Sequence, residues 1–145
     1  MKVRDAIAQM GSYNPPLEGR VERDYLLLDF SESTQPPPPH VVEALKTYLD
    51  SGRLRMYPAY GGFQAQVARY AGVAPEQVLL TNGSDSAIQI ITNALLSAGD
   101  EMLMARPGFF VTESCARAIG ATVVAPDYPA ADMAFPLEGL LAASP

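Results

Sequence analysis

From Gln77 onward, short apolar runs alternate with stretches of helical spacing, and this alternation constrains the fold more than any other feature of the chain. The runs are Gln77 to Thr81, Glu101 to Ala105 and Ala121 to Ala125, each too short for a buried helix. Between them lie Ser86 to Ser97 and Phe109 to Ile119, where apolar residues recur every three or four positions. Parallel strands cannot be joined by a tight hairpin and need a crossover, usually a helix, so the pattern predicts βαβ units and a mostly parallel sheet. Gly99-Asp100 and Gly120 stand where helices should break before the second and third strands. Another helix is expected to begin within Phe135 to Ala143.

Ahead of this region, residues 12 to 40 hold Pro15-Pro16, Gly19 and the run Pro36 to Pro39 around one short apolar segment, Tyr25 to Phe30. That is the composition of an arm laid over other elements. In His40 to Leu49, Val41, Val42, Ala44, Leu45, Tyr48 and Leu49 fall at helical spacing, behind a rigid proline lead-in and ahead of Gly52 as a stop. A second helix is expected from Phe63 to Tyr70, closed by a turn across Gly72 to Glu76. The chain therefore divides into an N-terminal arm and helix, 1–56, and an α/β region, 57–145.

The chemistry-bearing segment is the first crossover. Val78-Leu79-Leu80 meets the small polar loop Thr81-Asn82-Gly83-Ser84-Asp85-Ser86, which opens directly into a helix. In that arrangement unpaired N–H groups and the positive helix end cradle a phosphate. Asn-Gly-Ser-Asp is also what an ordinary turn and helix cap would use, so both readings stand on these residues alone. The net charge of −6, without a Lys/Arg run, argues against a nucleic-acid backbone or an anionic membrane surface as partner. No run approaches the ~20 apolar residues of a membrane helix, and Asp5 and Gln9 interrupt any secretory signal. A soluble, cytoplasmic protein is expected, acting on small molecules or proteins and holding no metal. Cys115, the sole cysteine, is expected as a packed core thiol rather than a nucleophile, and it excludes an intrachain disulfide. His40, the sole histidine, is expected to cap its helix or face solvent.

Three segments occur in a telling order: Met56-Tyr57-Pro58, then Thr81-Asn82-Gly83-Ser84-Asp85, then Ala98-Gly99-Asp100-Glu101 leading through a strand to Arg106-Pro107-Gly108-Phe109. Together they resemble the first part of a fold-type-I pyridoxal-phosphate aminotransferase of class I/II, most closely the histidinol-phosphate aminotransferase group. Leu28-Asp29-Phe30-Ser31-Glu32-Ser33 is similar to the family's Leu-x-x-Asn-Glu-Asn-Pro stretch, and Tyr13 to Gly19 resembles its N-terminal arm. The resemblance implies an α/β fold, the N-terminal part of the PLP-dependent transferase large domain, preceded by the arm and helix. It implies that Gly83, Ser84 and Asp85 hold the cofactor phosphate through backbone N–H groups and the Ser84 hydroxyl. Tyr57 would donate its hydroxyl to the phosphate of the neighbouring subunit's cofactor, in a homodimer with shared sites. Phe109 would stack on the pyridine face. The chain departs from the family's pattern at Met56 (usually Arg), Ser31 and Ser33 (usually Asn), Ser86 (often acidic) and Phe109 (commonly Tyr).

Transamination needs a Schiff-base lysine, an acid beside the pyridine nitrogen and an arginine for the substrate carboxylate. The resemblance places all of these in segments beyond Pro145. The two lysines here, Lys2 and Lys46, are expected to be solvated, so no catalytic residue is assigned. The expectation is the N-terminal fragment of a pyridoxal 5'-phosphate-dependent aminotransferase, inactive as it stands. Its parent would move an amino group between an amino acid, or a histidinol-phosphate-like amine, and a 2-oxo acid. Two alternatives remain: a stand-alone α/β phosphate- or nucleotide-binding module, and a remnant that pairs with a full-length subunit through its arm and Tyr57.

Overall fold

The structure is a computed structural model in which residues 2–11, 15, 17–20 and 26–144 are described. The expected arm Tyr13 to Gly19 and the segment Tyr25 to Phe30 lie partly outside the described residues. Two compact units form, Tyr13–Leu79 and Met1–Ser12 with Leu80–Pro145.

In the first unit, α2 (Pro39–Asp50) starts on a proline whose fixed φ suits a first helical turn and whose missing N–H costs nothing there. A 3-10 turn at Arg53–Arg55 leads to α3 (Gly61–Ala71). A second 3-10 turn, Pro75–Gln77, follows α3. The Gln64 side-chain amide ties this turn back to α3, donating to the carbonyls of Pro75 at 2.9 Å and Val78 at 2.8 Å. Nearer the start, the Arg20 guanidinium grips Asp29 at 2.6 Å and Glu32 at 2.8 Å and lies 4.4 Å from the Phe30 ring centroid. These three partners flank Ser31, held at φ 52° in the left-handed region.

The second unit carries α1 (Asp5–Ala8), α4 (Gly83–Leu95), β1 (Glu101–Leu103), α5 (Phe110–Ile119), β2 (Thr122–Val124) and α6 (Leu137–Ala143). β1 and β2 run parallel, pairing Glu101 with Thr122, Met102 with Val123 and Leu103 with Val124. The ladder continues past the strand ends, where Met104 N–H donates to the Val124 carbonyl at 3.0 Å and Arg106 bridges Asp127. Helix α5 is the crossover between the strands and packs on β2 and on α4, while α1 packs on α5. This is the expected βαβ unit.

The run Gln77 to Thr81 does not form the expected strand. Gln77 closes the 3-10 turn, and residues 78–81 are extended without a strand partner among the described residues. Apolar content marks a segment as fit for a sheet, but a strand exists only where a neighbour accepts its ladder.

Buried side chains are small: Ala68 in the first unit, and Thr92, Ala116 and Ala121 in the second. Thr92 satisfies its buried hydroxyl by donating to the Ile88 carbonyl at 2.8 Å. No large side chain is fully buried among the described residues, and Ile90, Ile91 and Leu95 leave one side of α4 bare. Cys115, expected in a packed core, is only half-buried. His40 is exposed in the first turn of α2.

Candidate functional site

The segment expected as a polar loop leading into a helix is already helix from Gly83 onward. Helix α4 begins at Gly83, three residues before the expected Ser86, so Gly83, Ser84 and Asp85 are its first three residues. Gly83 sits at φ 77°, where a side chain would be strained. The Thr81 hydroxyl donates to the Gly83 carbonyl at 2.9 Å and fixes the chain's entry. Asn82, at the cap position, makes no side-chain capping bond. Among the described residues, no group accepts from the backbone N–H of Gly83, Ser84 or Asp85.

Residues 82–85 are exposed, so these donors and the Ser84 hydroxyl open to solvent together. A helix start with unsatisfied donors carries roughly half a positive elementary charge. The Asp85 carboxylate in the first turn offsets part of that charge.

Phe109 is the residue before α5, with its ring 54% exposed. Two anchors hold the loop that delivers it. Arg106 is fixed through its backbone, its N–H donating to the Pro126 carbonyl at 2.9 Å and its carbonyl accepting from Tyr128 N–H at 2.7 Å. Its guanidinium reaches Glu113 on α5 at 3.1 Å, a carboxylate that also pairs with Arg117 at 2.8 Å. At Gly108 the backbone passes so close that an added Cβ would lie 2.7 Å from the Ala105 carbonyl oxygen and 2.6 Å from Met104 Cε. Glycine is required there for the turn that presents Phe109.

Tyr57 belongs to the other unit. It is 102% exposed and so takes no part in a core. A shallow cavity of about 290 Å³ adjoins it, lined by Tyr48, Arg53, Met56, Tyr57, Pro58 and Ala59. Sequence reasoning does not single out Arg53, although Arg53-Leu54-Arg55 immediately precedes Met56-Tyr57. Nothing in local spacing reveals that the turn after α2 folds Arg53 back beside Tyr48.

Both lysines are exposed, and Lys46 pairs with Glu43 on the surface of α2 at 2.8 Å. Among the described residues there is no group of three or more metal-ligating side chains, and no helix is long and apolar enough to cross a membrane.

Residues 23–144 match the sequence profile of "Aminotransferase class I and II". A histidinol-phosphate aminotransferase of Geotalea daltonii is 31% identical over 125 residues, which are 85% of this chain and 36% of that protein. One from Rhodospirillum centenum is 36% identical over 107 residues, 69% of this chain and 28% of that protein. The crystal structure of histidinol-phosphate aminotransferase from Sinorhizobium meliloti in complex with pyridoxal-5'-phosphate superimposes with a TM-score of 0.77 at 24% identity. That match covers 98% of this chain and 39% of that one, and it shows the shared fold. The α-aminoadipate aminotransferase LysN from Thermus thermophilus aligns over 74% of this chain and 30% of its own, at 25% identity and a TM-score of 0.58. The chain thus spans about a third of the length of the curated relatives it matches. With a profile match over most of its length and a parallel βαβ unit that superimposes on the same fold, the chain belongs to the class I and II aminotransferases.

Proposed function

We propose that this chain supplies the phosphate cradle and a ring-facing side chain of a pyridoxal 5'-phosphate site in an aminotransferase. The whole enzyme would move an amino group between an amino acid, or a histidinol-phosphate-like amine, and a 2-oxo acid. The observation that carries this reading is the first turn of α4, with its exposed, unsatisfied N–H groups beside the Ser84 hydroxyl. A phosphate dianion matches that donor set in charge and geometry.

The residues present fit the group in part. Gly83, Ser84 and Asp85 offer the phosphate donors, the exposed Phe109 ring offers a stacking surface, and the Tyr57 hydroxyl is free to donate across a homodimer interface to a second site. When bound, pyridoxal 5'-phosphate supplies the carbonyl carbon that takes up the amino group and the ring that withdraws electrons from it. Neither Lys46, paired on the surface of α2, nor Lys2 is placed as its covalent anchor. The chain alone is therefore expected to bind phosphate without transferring amino groups.

The test is a titration with pyridoxine 5'-phosphate, which lacks the aldehyde and so leaves the lysines unmodified, followed by residue-resolved NMR. The amides of Gly83 to Ser86 and the Phe109 ring should shift, and unphosphorylated pyridoxine should leave the amides unmoved. Shifts at Gly83 to Ser86 with adenosine monophosphate but not with pyridoxine 5'-phosphate would replace this reading with a nucleotide-binding module.

A further inference from the structure

We propose that Arg53 is the cation of a second phosphate-monoester contact, formed with the hydroxyls of Tyr57 and Tyr48 in the cavity between the end of α2 and the Tyr57-Pro58 turn. The inference rests on reading Tyr57 as a phosphate donor and names the charge that works with it. A phenol by itself is a weak anchor for a dianion, and residue 56, immediately before the tyrosine, is an uncharged methionine. Arg53 restores a positive charge to the same cavity.

The local frame places Arg53 firmly. Helix α2 ends at Asp50, and the Ser51 hydroxyl donates to the Tyr48 carbonyl at 2.6 Å while accepting from Arg53 N–H at 3.3 Å. Gly52 reverses the chain at φ 67°, and its N–H donates to the Leu49 carbonyl at 3.2 Å. Ser51 N–H donates to the Thr47 carbonyl at 3.2 Å, and Met56 N–H closes onto the Arg53 carbonyl at 2.9 Å. These bonds matter twice. They hold Arg53 and Tyr48 on one short turn, and they occupy carbonyls at the negative end of α2 that would otherwise repel an anion.

Charge within the turn also favours an anion, since Arg53 and Arg55 face a single carboxylate, Asp50, across residues 48–59. Arg20, Arg106 and Arg117 are engaged with carboxylates, whereas Arg53 has no ion-pair partner among the described residues. An arginine with a planar fork of donors and no ion-pair partner among the described residues, lining with Tyr48 and Tyr57 a cavity of about 290 Å³, suits a phosphate monoester.

The experiment is a titration of the full chain and of Arg53→Gln, Arg53→Lys and Tyr57→Phe with pyridoxine 5'-phosphate and, separately, inorganic phosphate. Binding is read from the amides of residues 48–59, apart from those of Gly83 to Ser86. Arg53→Gln should weaken binding at residues 48–59 about tenfold, the size of one charge-assisted hydrogen bond. Arg53→Lys should recover part of that loss, and the remaining amides should confirm an unchanged fold. A stronger response to the ester than to inorganic phosphate assigns the contact to a phosphorylated small molecule, and an equal response assigns it to free phosphate. If Tyr57→Phe weakens binding and Arg53→Gln does not, the role of Arg53 is overturned while that of Tyr57 stands. If neither ligand shifts residues 48–59, or chloride at equal ionic strength shifts them equally, both are overturned.

Discussion

The two proposed phosphate contacts, the first turn of α4 and the turn around Tyr57, are built from different materials. At α4 the donors are backbone N–H groups, aimed by the helix and by the left-handed Gly83, so the cradle exists as soon as the helix does. At Tyr57 the donors are side chains on a short turn, one of them fully exposed, and they line a shallow cavity. Stability and phosphate binding are therefore expected to be coupled at the first site and separable at the second.

Gly108→Ala should have the largest effect. The new methyl meets the Ala105 carbonyl oxygen at 2.7 Å, and overpacking of this kind costs about 1–3 kcal/mol. Urea unfolding and amide exchange across β1 and β2 would register it, and an unchanged midpoint would show that the Phe109 loop is not tightly anchored. Gly83→Ala should come next, losing roughly 1–2 kcal/mol because φ 77° is strained for an L side chain. It should weaken phosphate binding in parallel, and a loss of one without the other would break the proposed coupling.

Ser84→Ala should reduce phosphate binding at Gly83 to Ser86 by several-fold, equivalent to one neutral hydrogen bond of about 1 kcal/mol. Tyr57→Phe should leave the unfolding midpoint within about 0.5 kcal/mol, because the side chain is fully exposed in the chain. A larger loss would mean that Tyr57 is a structural residue and would erase the contrast between the two sites.

The smallest expected effect lies in the Arg20 clasp. Hydrogen bonding to Arg20 holds the Asp29 carboxyl below its ordinary carboxylate value. A carboxylate with a depressed folded pKa contributes stability above its unfolded value, and that contribution is lost as pH falls through the folded one. Amide protection at residues 28–33 should therefore decline only in acid, below the ordinary carboxylate range, and Asp29→Asn should remove that dependence. Because the Asp29 side chain is 44% exposed, the effect should fade as salt is added.

Much of the second unit is legible in the amino-acid sequence. Helical periodicity locates α4 and α5, short apolar runs locate β1 and β2, and Gly120 ends α5 in the left-handed conformation its position implies. The boundary at Gly83 is not legible, because a glycine with positive φ looks like loop in a sequence, whereas here it is the first residue of the helix. The extended segment at Val78 to Thr81 has the composition of a strand without being one, since its apolar residues report an affinity for burial and not the presence of a neighbour. The Arg20 clasp and the Arg53 cavity leave no trace in the sequence at all. Each depends on residues several positions apart that only a folded turn brings together.

The family, the βαβ order and the small polar residues at the start of α4 are properties of the sequence alone, because they follow from local propensity and from spacing along one chain. Which donors stay unsatisfied, which arginines are engaged by carboxylates, and that Tyr57 faces solvent rather than a core are settled only by the folded chain. Those properties concern what a group touches or leaves untouched across the fold. They are set by packing between distant segments, so no window of neighbouring residues contains them.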